Sequence, residues 1–276
     1  MKNIIICKNS NLSKHLFDKL HSADLISSRD ILKKDNLLSI YKNEYLNIII
    51  NGFQPANCLN DISDPLDYIS NSILVTSKIL SEIKNLNINK IIYTSSSSVY
   101  GDNPYCKEED LLSPLNLHSS LKVANEKLIE KYCTENNIKY HIIRIFNMYG
   151  GDDNFSVISK IIKAYKQKEV LKIVNNGSAI RDFIHINDVT SVYKYILENN
   201  INYPILNIGS GKGISLSILL EFLELNNVKI QIENITRNEI KISTACVEKI
   251  NSFINTHNFS DVKDYLILEL KSLSYN

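Results

Sequence analysis

The stretch that decides the fold is KIIYTSSSSVYGD, residues 90–102. It opens with an apolar run rich in β-branched and aromatic residues, which predicts a buried strand over 90–96, and it continues into a serine-rich turn. One helical pattern, at 67–86, precedes this strand and another, at 122–137, follows it. A strand that lies between two such helices indicates a βαβ unit and therefore a parallel sheet.

The same alternation extends in both directions along the chain. Upstream, NIIIC (3–7) and LNIIIN (46–51) are strand candidates, and LSKHLFDKL (12–20) has helical spacing. Downstream, KYHIIRIFN (139–147) is the next strand. Residues 1–150 are therefore predicted to form an α/β domain, a Rossmann-like doubly wound parallel sheet of the dinucleotide-binding type.

Beyond residue 150 the alternation is less regular. Helices are expected at 154–167 and 215–225, with short strands at 171–174 and 204–209. We expect residues 151–276 to form a small substrate-binding lobe, together with parts of the sheet. Such a lobe would cover the carboxyl ends of the strands, where open α/β sheets bind ligands.

Composition excludes several classes of partner. Lys and Arg total 31 against 30 for Asp and Glu, so no net field favours nucleic acid or an anionic membrane. Five scattered cysteines indicate reduced thiols in the cytoplasm, and the histidines lack metal-ligand spacing, so we expect no metal. No signal peptide or membrane span is expected, because every apolar run is shorter than about 18 residues.

Four segments in order resemble motifs of the extended short-chain dehydrogenase/reductase family, also called the NAD-dependent epimerase/dehydratase family. They are YTSSSSVYGD (93–102), IIRIFNMYGG (142–151), IRDFIHINDV (180–189) and LNIGSGKGISL (206–216). The tail ISTACVEKINSF (242–253) falls where the family has its final helix. The resemblance covers nearly the whole chain, and it implies a protein that modifies a nucleotide-activated sugar.

The resemblance also implies catalytic residues. Family members pair a Ser or Thr with a Tyr that lies four residues before a Lys; the Tyr moves a proton while hydride moves to or from the nicotinamide. Ser96 and Lys122 match these positions, but the Tyr position holds His118. Histidine is a plausible substitute, because its ordinary pKa of about 6.5 suits proton transfer near neutral pH, and Lys122 would lower that pKa further.

The implied cofactor is NAD or NADP, and its site departs most from the family. The three glycines of the family's turn correspond here to Cys7, Ser10 and Ser13. A Cβ at Ser10 is expected to crowd the pyrophosphate, and Cys7 is not expected to adopt a glycine-only conformation easily. The small pair beside the cofactor is replaced by residues around Gly52, Phe53 and Gln54.

The substrate side is closer to the family. Asn147 and Arg181 match positions that hydrogen-bond the phosphates of the nucleotide sugar, and a guanidinium offers a fixed fork of donors for that purpose. The family also implies a homodimer, through helices equivalent to those at roughly 65–86 and 118–136.

Structural alternatives exist for each candidate. His118 could be a polar residue at a cleft without redox chemistry, Ser96 a turn residue, and Lys122 a solvated residue at a helix start. His185 and Asp188 are expected to fix the segment that carries Arg181. Tyr100 is either a packing residue or a substitute phenol.

Three hypotheses follow. The first is a sugar-nucleotide epimerase, dehydratase or ketoreductase that still uses NAD(P) with Ser96, His118 and Lys122. The second keeps His118 as a base on an already oxidised keto-sugar nucleotide, without the cofactor. The third is a pseudoenzyme that binds a sugar nucleotide or a partner protein.

Overall fold

Residues 1–52 and 64–272 are described by a computed structural model of the chain. Phe53 and Gln54, expected beside the cofactor, and Cys58 lie outside the described residues. Contacts divide the chain into two compact units. The first unit comprises residues 1–99, 112–144 and 190–206, and the second comprises 100–111, 145–189 and 207–276. These units are groups of residues in mutual contact and are not shown to fold independently. The predicted domain boundary at residue 150 therefore stays a prediction.

A six-stranded sheet organises the first unit. Its strands are β1 (Lys2–Ile6), β2 (Ala23–Ile26), β3 (Tyr45–Ile50), β4 (Asn87–Ser96), β6 (Lys139–Ile145) and β10 (Ile205–Ile208), in the order β10-β6-β4-β3-β1-β2. The pairs β1/β2, β1/β3 and β3/β4 are parallel. The isoleucines of β1 and β3 are fully buried, as expected for strands covered on both faces. The order reverses at β1, and the carboxyl ends of β1 and β3 therefore flank the switch point at which such sheets bind ligands.

Helices join these strands. They are α1 (Asn11–Lys19), α2 (Ser28–Lys33), α3 (Pro65–Ile69), α4 (Val75–Glu82), α5 (Leu117–Glu135) and α7 (Ile186–Glu198). The single helix predicted over 67–86 is divided, because a π-helical turn at Ser70–Leu74 separates α3 from α4. A wide turn of this kind accommodates an extra residue in a continuous helical path.

The second unit is built from shorter strands. They are β5 (Tyr105–Cys106), β7 (Asn147–Tyr149), β8 (Leu171–Val174), β9 (Ile180–His185), β11 (Gly213–Ser215), β12 (Ile232–Ile235) and β13 (Ile242–Ala245). Four of them form the order β11-β9-β13-β5, β7 pairs with β9, and β8 pairs with β12. The helices are α6 (Val157–Gln167), α8 (Leu216–Leu225), α9 (Glu248–Asn251) and α10 (Val262–Ser272). A core of apolar side chains from α6, α8 and α10 packs beside these strands.

The expected parallel sheet and most of its elements are present, but the tail differs. The segment 242–253, expected as the final helix, instead forms strand β13 and the short helix α9, and the last helix is α10. The β-branched residues Ile242 and Thr244 favour a strand, and this strand pairs with β9 on one side. None of the described helices is long and apolar enough to cross a membrane.

Candidate active site

The turn after β1 keeps the shape that a glycine would give it. Cys7 has a φ of 77°, so it adopts the left-handed conformation that was expected to be difficult for a residue other than glycine. Its N–H donates to the carbonyl of Ile26 at 2.9 Å, and its carbonyl accepts from the N–H of Ser10 at 3.0 Å. A residue with a side chain costs about 1–3 kcal/mol in this region of backbone conformation, and these hydrogen bonds offset that cost.

Side chains occupy the N-terminus of α1. Ser10 is the N-cap of the helix, and its Oγ accepts a hydrogen bond from the N–H of Ser13 at 3.0 Å. The Ser10 hydroxyl also donates to the Ser13 Oγ at 2.7 Å. Ser13 is buried. The helix end is therefore capped by its own side chain, which satisfies a backbone donor that would otherwise have no partner within the helix.

This polar cluster continues into the interior of the first unit. Asn51, immediately after β3, donates from Nδ2 to the Ser13 Oγ at 3.0 Å and accepts at Oδ1 from the hydroxyl of Thr94. Thr94 in turn lies 2.6 Å from the hydroxyl oxygen of Tyr193 on α7. Sequence reasoning did not identify Asn51, Thr94 or Tyr193, since nothing in the local pattern links positions so far apart.

Lys122 is an interior residue of α5. The helix begins at Leu117 behind a capping box formed by Asn116 and Ser119, so Lys122 is not at the helix start. It is only 3% exposed, and the interpretation as a solvated residue is wrong. Its Nζ donates to the carbonyl oxygens of Gly52 at 2.7 Å and Thr94 at 2.8 Å. Burial lowers the pKa of Lys122 to about 7, although the charges of Cys7 and Glu126 act in the opposite direction.

His118 lies one helical turn before Lys122. Its side chain is partly exposed, and it makes no hydrogen bond with any residue in 1–52 or 64–272. Burial, and then the positive charge of Lys122, lower the pKa of His118 to about 4. The imidazole is therefore neutral at physiological pH, and one ring nitrogen can accept a proton.

Ser96 ends strand β4, and its Oγ accepts a hydrogen bond from the N–H of Ser98 at 3.2 Å. Because the hydroxyl uses an oxygen lone pair in this contact, its proton can be donated elsewhere. The preceding residue, Ser95, donates to Glu126 on α5, and Glu126 is paired with Arg144 of β6 at 2.8 Å. This buried ion pair holds α5 against β4 and β6. Its signal in the sequence was the position of Glu126 one turn after Lys122.

In the second unit, the two candidate phosphate ligands lie on neighbouring strands. Asn147 of β7 is paired with Phe183 of β9, so Asn147 and Arg181 share one face of this strand pair. The Asn147 Nδ2 donates to the carbonyl of Asp182 at 3.0 Å. The Arg181 guanidinium donates to the carbonyl of Ile180 at 2.9 Å and lies 3.3 Å from the carboxylate of Glu239.

The remaining motif residues have structural partners. The His185 ring packs against Tyr149 and Tyr265, with centroids 5.1 Å away in each case, and Asp188 accepts from the N–H of Ser260 at 2.9 Å. Tyr100 is buried and donates to Asn207 at 2.7 Å, which argues against its use as a substitute phenol. In the described parts of the chain, no group of three or more His, Cys, Asp or Glu could hold a metal ion.

The fold and these groups define a Rossmann-type protein of the kind that binds nucleotides at the carboxyl ends of parallel strands. The family model for the NAD dependent epimerase/dehydratase family matches residues 5–209. Since the match covers well over half of the chain, the protein belongs to this family.

Individual relatives agree with this assignment. The chain is 30% identical over 226 residues to an ADP-L-glycero-D-manno-heptose-6-epimerase of Brachyspira hyodysenteriae, covering 77% of this chain and 70% of that protein. It is 28% identical over 195 residues to an uncharacterized protein of Methanocaldococcus jannaschii, covering 69% of this chain but only 60% of the relative's length. The match thus spans less than two thirds of that relative.

A solved structure supports the fold. The UDP-glucuronic acid 4-epimerase of Bacillus cereus, in complex with UDP-glucuronic acid and NAD, matches with a TM-score of 0.87 at 20% identity, covering 100% of this chain and 99% of that chain. At this identity the likeness establishes the fold alone.

The family implies NAD, and the residues of this chain do not fit it in the family's manner. A pyrophosphate at the start of α1 needs the backbone donors there and a glycine that allows close approach. Here the N–H of Ser13 is bonded to Ser10, and Ser10 has a Cβ at the glycine position. Lys122, whose family counterpart holds the cofactor ribose, instead donates to two backbone carbonyls.

Proposed function

We propose that the chain binds a nucleotide-activated sugar and moves a proton on it through His118. The family assignment and the heptose and glucuronate epimerases among its relatives support a sugar-nucleotide substrate. Arg181 and Asn147 would hydrogen-bond its phosphates, since a planar guanidinium and an amide are strong donors to phosphate oxygens. Ser96, His118 and Lys122 would be the catalytic residues.

The observation that carries this proposal is the state of His118. Its imidazole is neutral, partly exposed, without a hydrogen-bond partner among the described residues, and one turn from a buried lysine. A neutral imidazole without an internal partner can act as a general base. It needs no nicotinamide for that role when the sugar already has a carbonyl, because the carbonyl acidifies the adjacent C–H bond.

The proton transfer balances with the groups present. The C–H bond beside the carbonyl breaks, its proton forms an N–H bond on His118, and the electron pair moves to the carbonyl oxygen as an enolate. The Ser96 hydroxyl would donate a hydrogen bond to that oxygen, and the Lys122 charge would stabilise it. Protonation of the same carbon by solvent on its opposite face gives the epimer, and His118 releases its proton to solvent.

A second candidate is binding without turnover. Two observations favour it: an imidazole with a pKa of about 4 is a weak base, and the Lys122 ammonium donates to the Gly52 and Thr94 carbonyls. A protein without hydride transfer needs neither the family's Tyr nor its glycines. Such a chain would serve as a sugar-nucleotide sensor or as a subunit.

Deuterium exchange separates the two candidates. Wild-type protein is incubated in D2O with a UDP-linked 4-keto sugar and no dinucleotide, and deuterium uptake at the carbon beside the carbonyl is followed by NMR. We expect His118→Gln to slow uptake by about 100-fold or more, as general bases contribute 10²–10⁴-fold. His21→Gln, at an exposed position, is the control. Between pH 5 and 6 the rate constant is expected to stay flat, since the base form of His118 persists down to about pH 4. It should fall as the pH rises through about 7, where Lys122 loses the charge that stabilises the enolate.

Calorimetric titration with UDP-sugars completes the test. Binding of a UDP-sugar without deuterium uptake would favour the second candidate, and absence of binding would contradict both.

The proposed homodimer and the cytoplasmic location need separate tests. Exposed Leu66, Ile69 and Leu74 on α3 and the following turn are consistent with the dimer, and a monomer in sedimentation would contradict it.

A further inference from the structure

A buried chain of hydrogen bonds in the first unit has no part in the proposed proton transfer. It runs from Tyr193 through Thr94, Asn51 and Ser13 to Ser10. The three middle members and Tyr193 are each 0% exposed. Polar groups this deeply buried are destabilising unless they are paired, and here they pair with one another.

The direction of the bonds follows from the groups involved. The Thr94 hydroxyl donates to Asn51, so the Tyr193 hydroxyl must donate to Thr94. Asn51 then donates through its amide to the Ser13 oxygen, which also accepts from Ser10. Because Asn51 uses its oxygen in one direction and its nitrogen in the other, it couples the cap of α1 to helix α7.

We propose that this chain of side chains closes the turn after β1 to the pyrophosphate of a dinucleotide and takes over the structural role of the cofactor there. The N-terminus of α1 receives its acceptor from Ser10, where a phosphate oxygen would otherwise supply it. The left-handed Cys7 preserves the path of the turn, so the closure results from the serine side chains and not from a different backbone.

Binding a dinucleotide would disrupt this arrangement at several points. The Ser10 hydroxyl would have to leave the Ser13 N–H, and the Ser10 Cβ would contact the incoming phosphate. Any movement of Ser13 would remove the acceptor of the buried Asn51 amide, which costs about 1–3 kcal/mol for an unsatisfied group. The Ser13 N–H, one of the backbone donors that a helix N-terminus offers to an anion, is therefore already bonded internally.

Equilibrium binding of NADH and NADPH, followed by their fluorescence, tests the proposal without an activity assay. We expect wild-type protein to show no saturation up to about 1 mM of either, and no shift of its unfolding midpoint with NAD or NADP, as a ligand stabilises only a state that binds it. Saturation below about 0.1 mM, or a rise in the midpoint, would overturn the proposal.

The decisive variant is Ser10→Gly, with Ser27→Gly as its matched control. Ser27 caps α2 in the same way, with its Oγ accepting from the Arg29 N–H at 3.2 Å. Loss of a serine cap to glycine costs only a few tenths of a kcal/mol, so both variants should fold. We expect Ser10→Gly alone to gain NADH affinity, by at least about tenfold over the wild-type limit. Equal affinity in Ser10→Gly and wild type would exclude Ser10 as the closing group. Binding of UDP-sugars is a separate measurement, so failure here leaves the proposed function intact.

Discussion

The turn after β1 and the strand pair β7/β9 both contain polar side chains at positions where the family contacts a ligand, yet the two regions differ in how those side chains are satisfied. At the turn, Ser13 and Asn51 are fully buried and bonded to one another. On the strand pair, the Arg181 side chain is 22% exposed, and it lies 3.3 Å from the carboxylate of Glu239. Bonds between buried side chains must break before a ligand can use those groups, whereas a partly solvated ion pair can be exchanged for a phosphate at little cost.

The largest effect that separates the two regions is expected from Asn51→Ala. This change removes the partner that Ser13 and Thr94 share in the interior. Ser13 keeps its hydrogen bond from Ser10, but the Thr94 hydroxyl loses its acceptor, and an unsatisfied buried group costs about 1–3 kcal/mol. Urea unfolding should therefore show a loss of about 1–3 kcal/mol in the free energy of unfolding.

Asn47→Ala on β3, the strand that precedes Asn51, is the control for this prediction. Asn47 also bonds through both ends of its amide, to Asn3 and Asn89 at 2.8 Å each, but those partners are partly exposed and water can replace it. If Asn51→Ala and Asn47→Ala lowered the free energy of unfolding equally, the buried network around Asn51 would not differ in energy from the partly exposed network around Asn47.

The sequence predicted the sheet of the first unit well, because its strands are short apolar runs with clear boundaries. The prediction failed where contacts between distant parts of the chain determine the local conformation. The left-handed Cys7 depends on a bond to Ile26, on a different strand, and local propensity does not include that bond. The hydrogen-bond network from Tyr193 to Ser10 could not be predicted from the sequence, because Tyr193 is 99 residues from Thr94.

Lys122 shows a third limit of the sequence. The helix was predicted to begin at this residue, but Asn116 and Ser119 form the capping box and place its start at Leu117. The shift puts Lys122 one turn inside the helix, on the face that packs against β4. An error of a few residues in the predicted helix boundary was therefore enough to miss the burial of Lys122 and the lowering of its pKa.

A smaller effect is expected from the pH dependence of stability at Lys122. The folded chain loses this proton at about pH 7, whereas the unfolded chain keeps it until the ordinary value of 10.5. In that window the unfolded state binds more protons, so the free energy of unfolding rises with pH, by at most about 1.4 kcal/mol per pH unit. Lys122→Met should lack this rise.

The measurement is urea unfolding of wild type and Lys122→Met at pH 7.5, 8.5 and 9.5. The advantage of wild type over the variant should grow with pH, and parallel curves would contradict a buried lysine. Lys127→Met, an exposed position on the same helix, should follow the wild-type dependence.

The smallest effect is expected on the substrate side, from Glu239→Gln. The Arg181–Glu239 pair is partly solvated, so its loss should change the free energy of unfolding by no more than about 1 kcal/mol. A phosphate that binds Arg181 must compete with this carboxylate, which also accepts from Asn175 at 3.0 Å. Glutamine keeps an acceptor for Asn175 and removes the charge.

The affinity for a UDP-sugar should therefore rise in Glu239→Gln, by up to about fivefold for a pair worth 1 kcal/mol. Glu233→Gln, which removes the exposed partner of Lys172 at 3.7 Å, should leave the affinity unchanged. A lower affinity in Glu239→Gln would mean that Glu239 orients the guanidinium for the phosphate and does not compete with it. Arg181 would then be held in place much as Ser10 is, and the contrast between a closed cofactor side and an open substrate side would not hold.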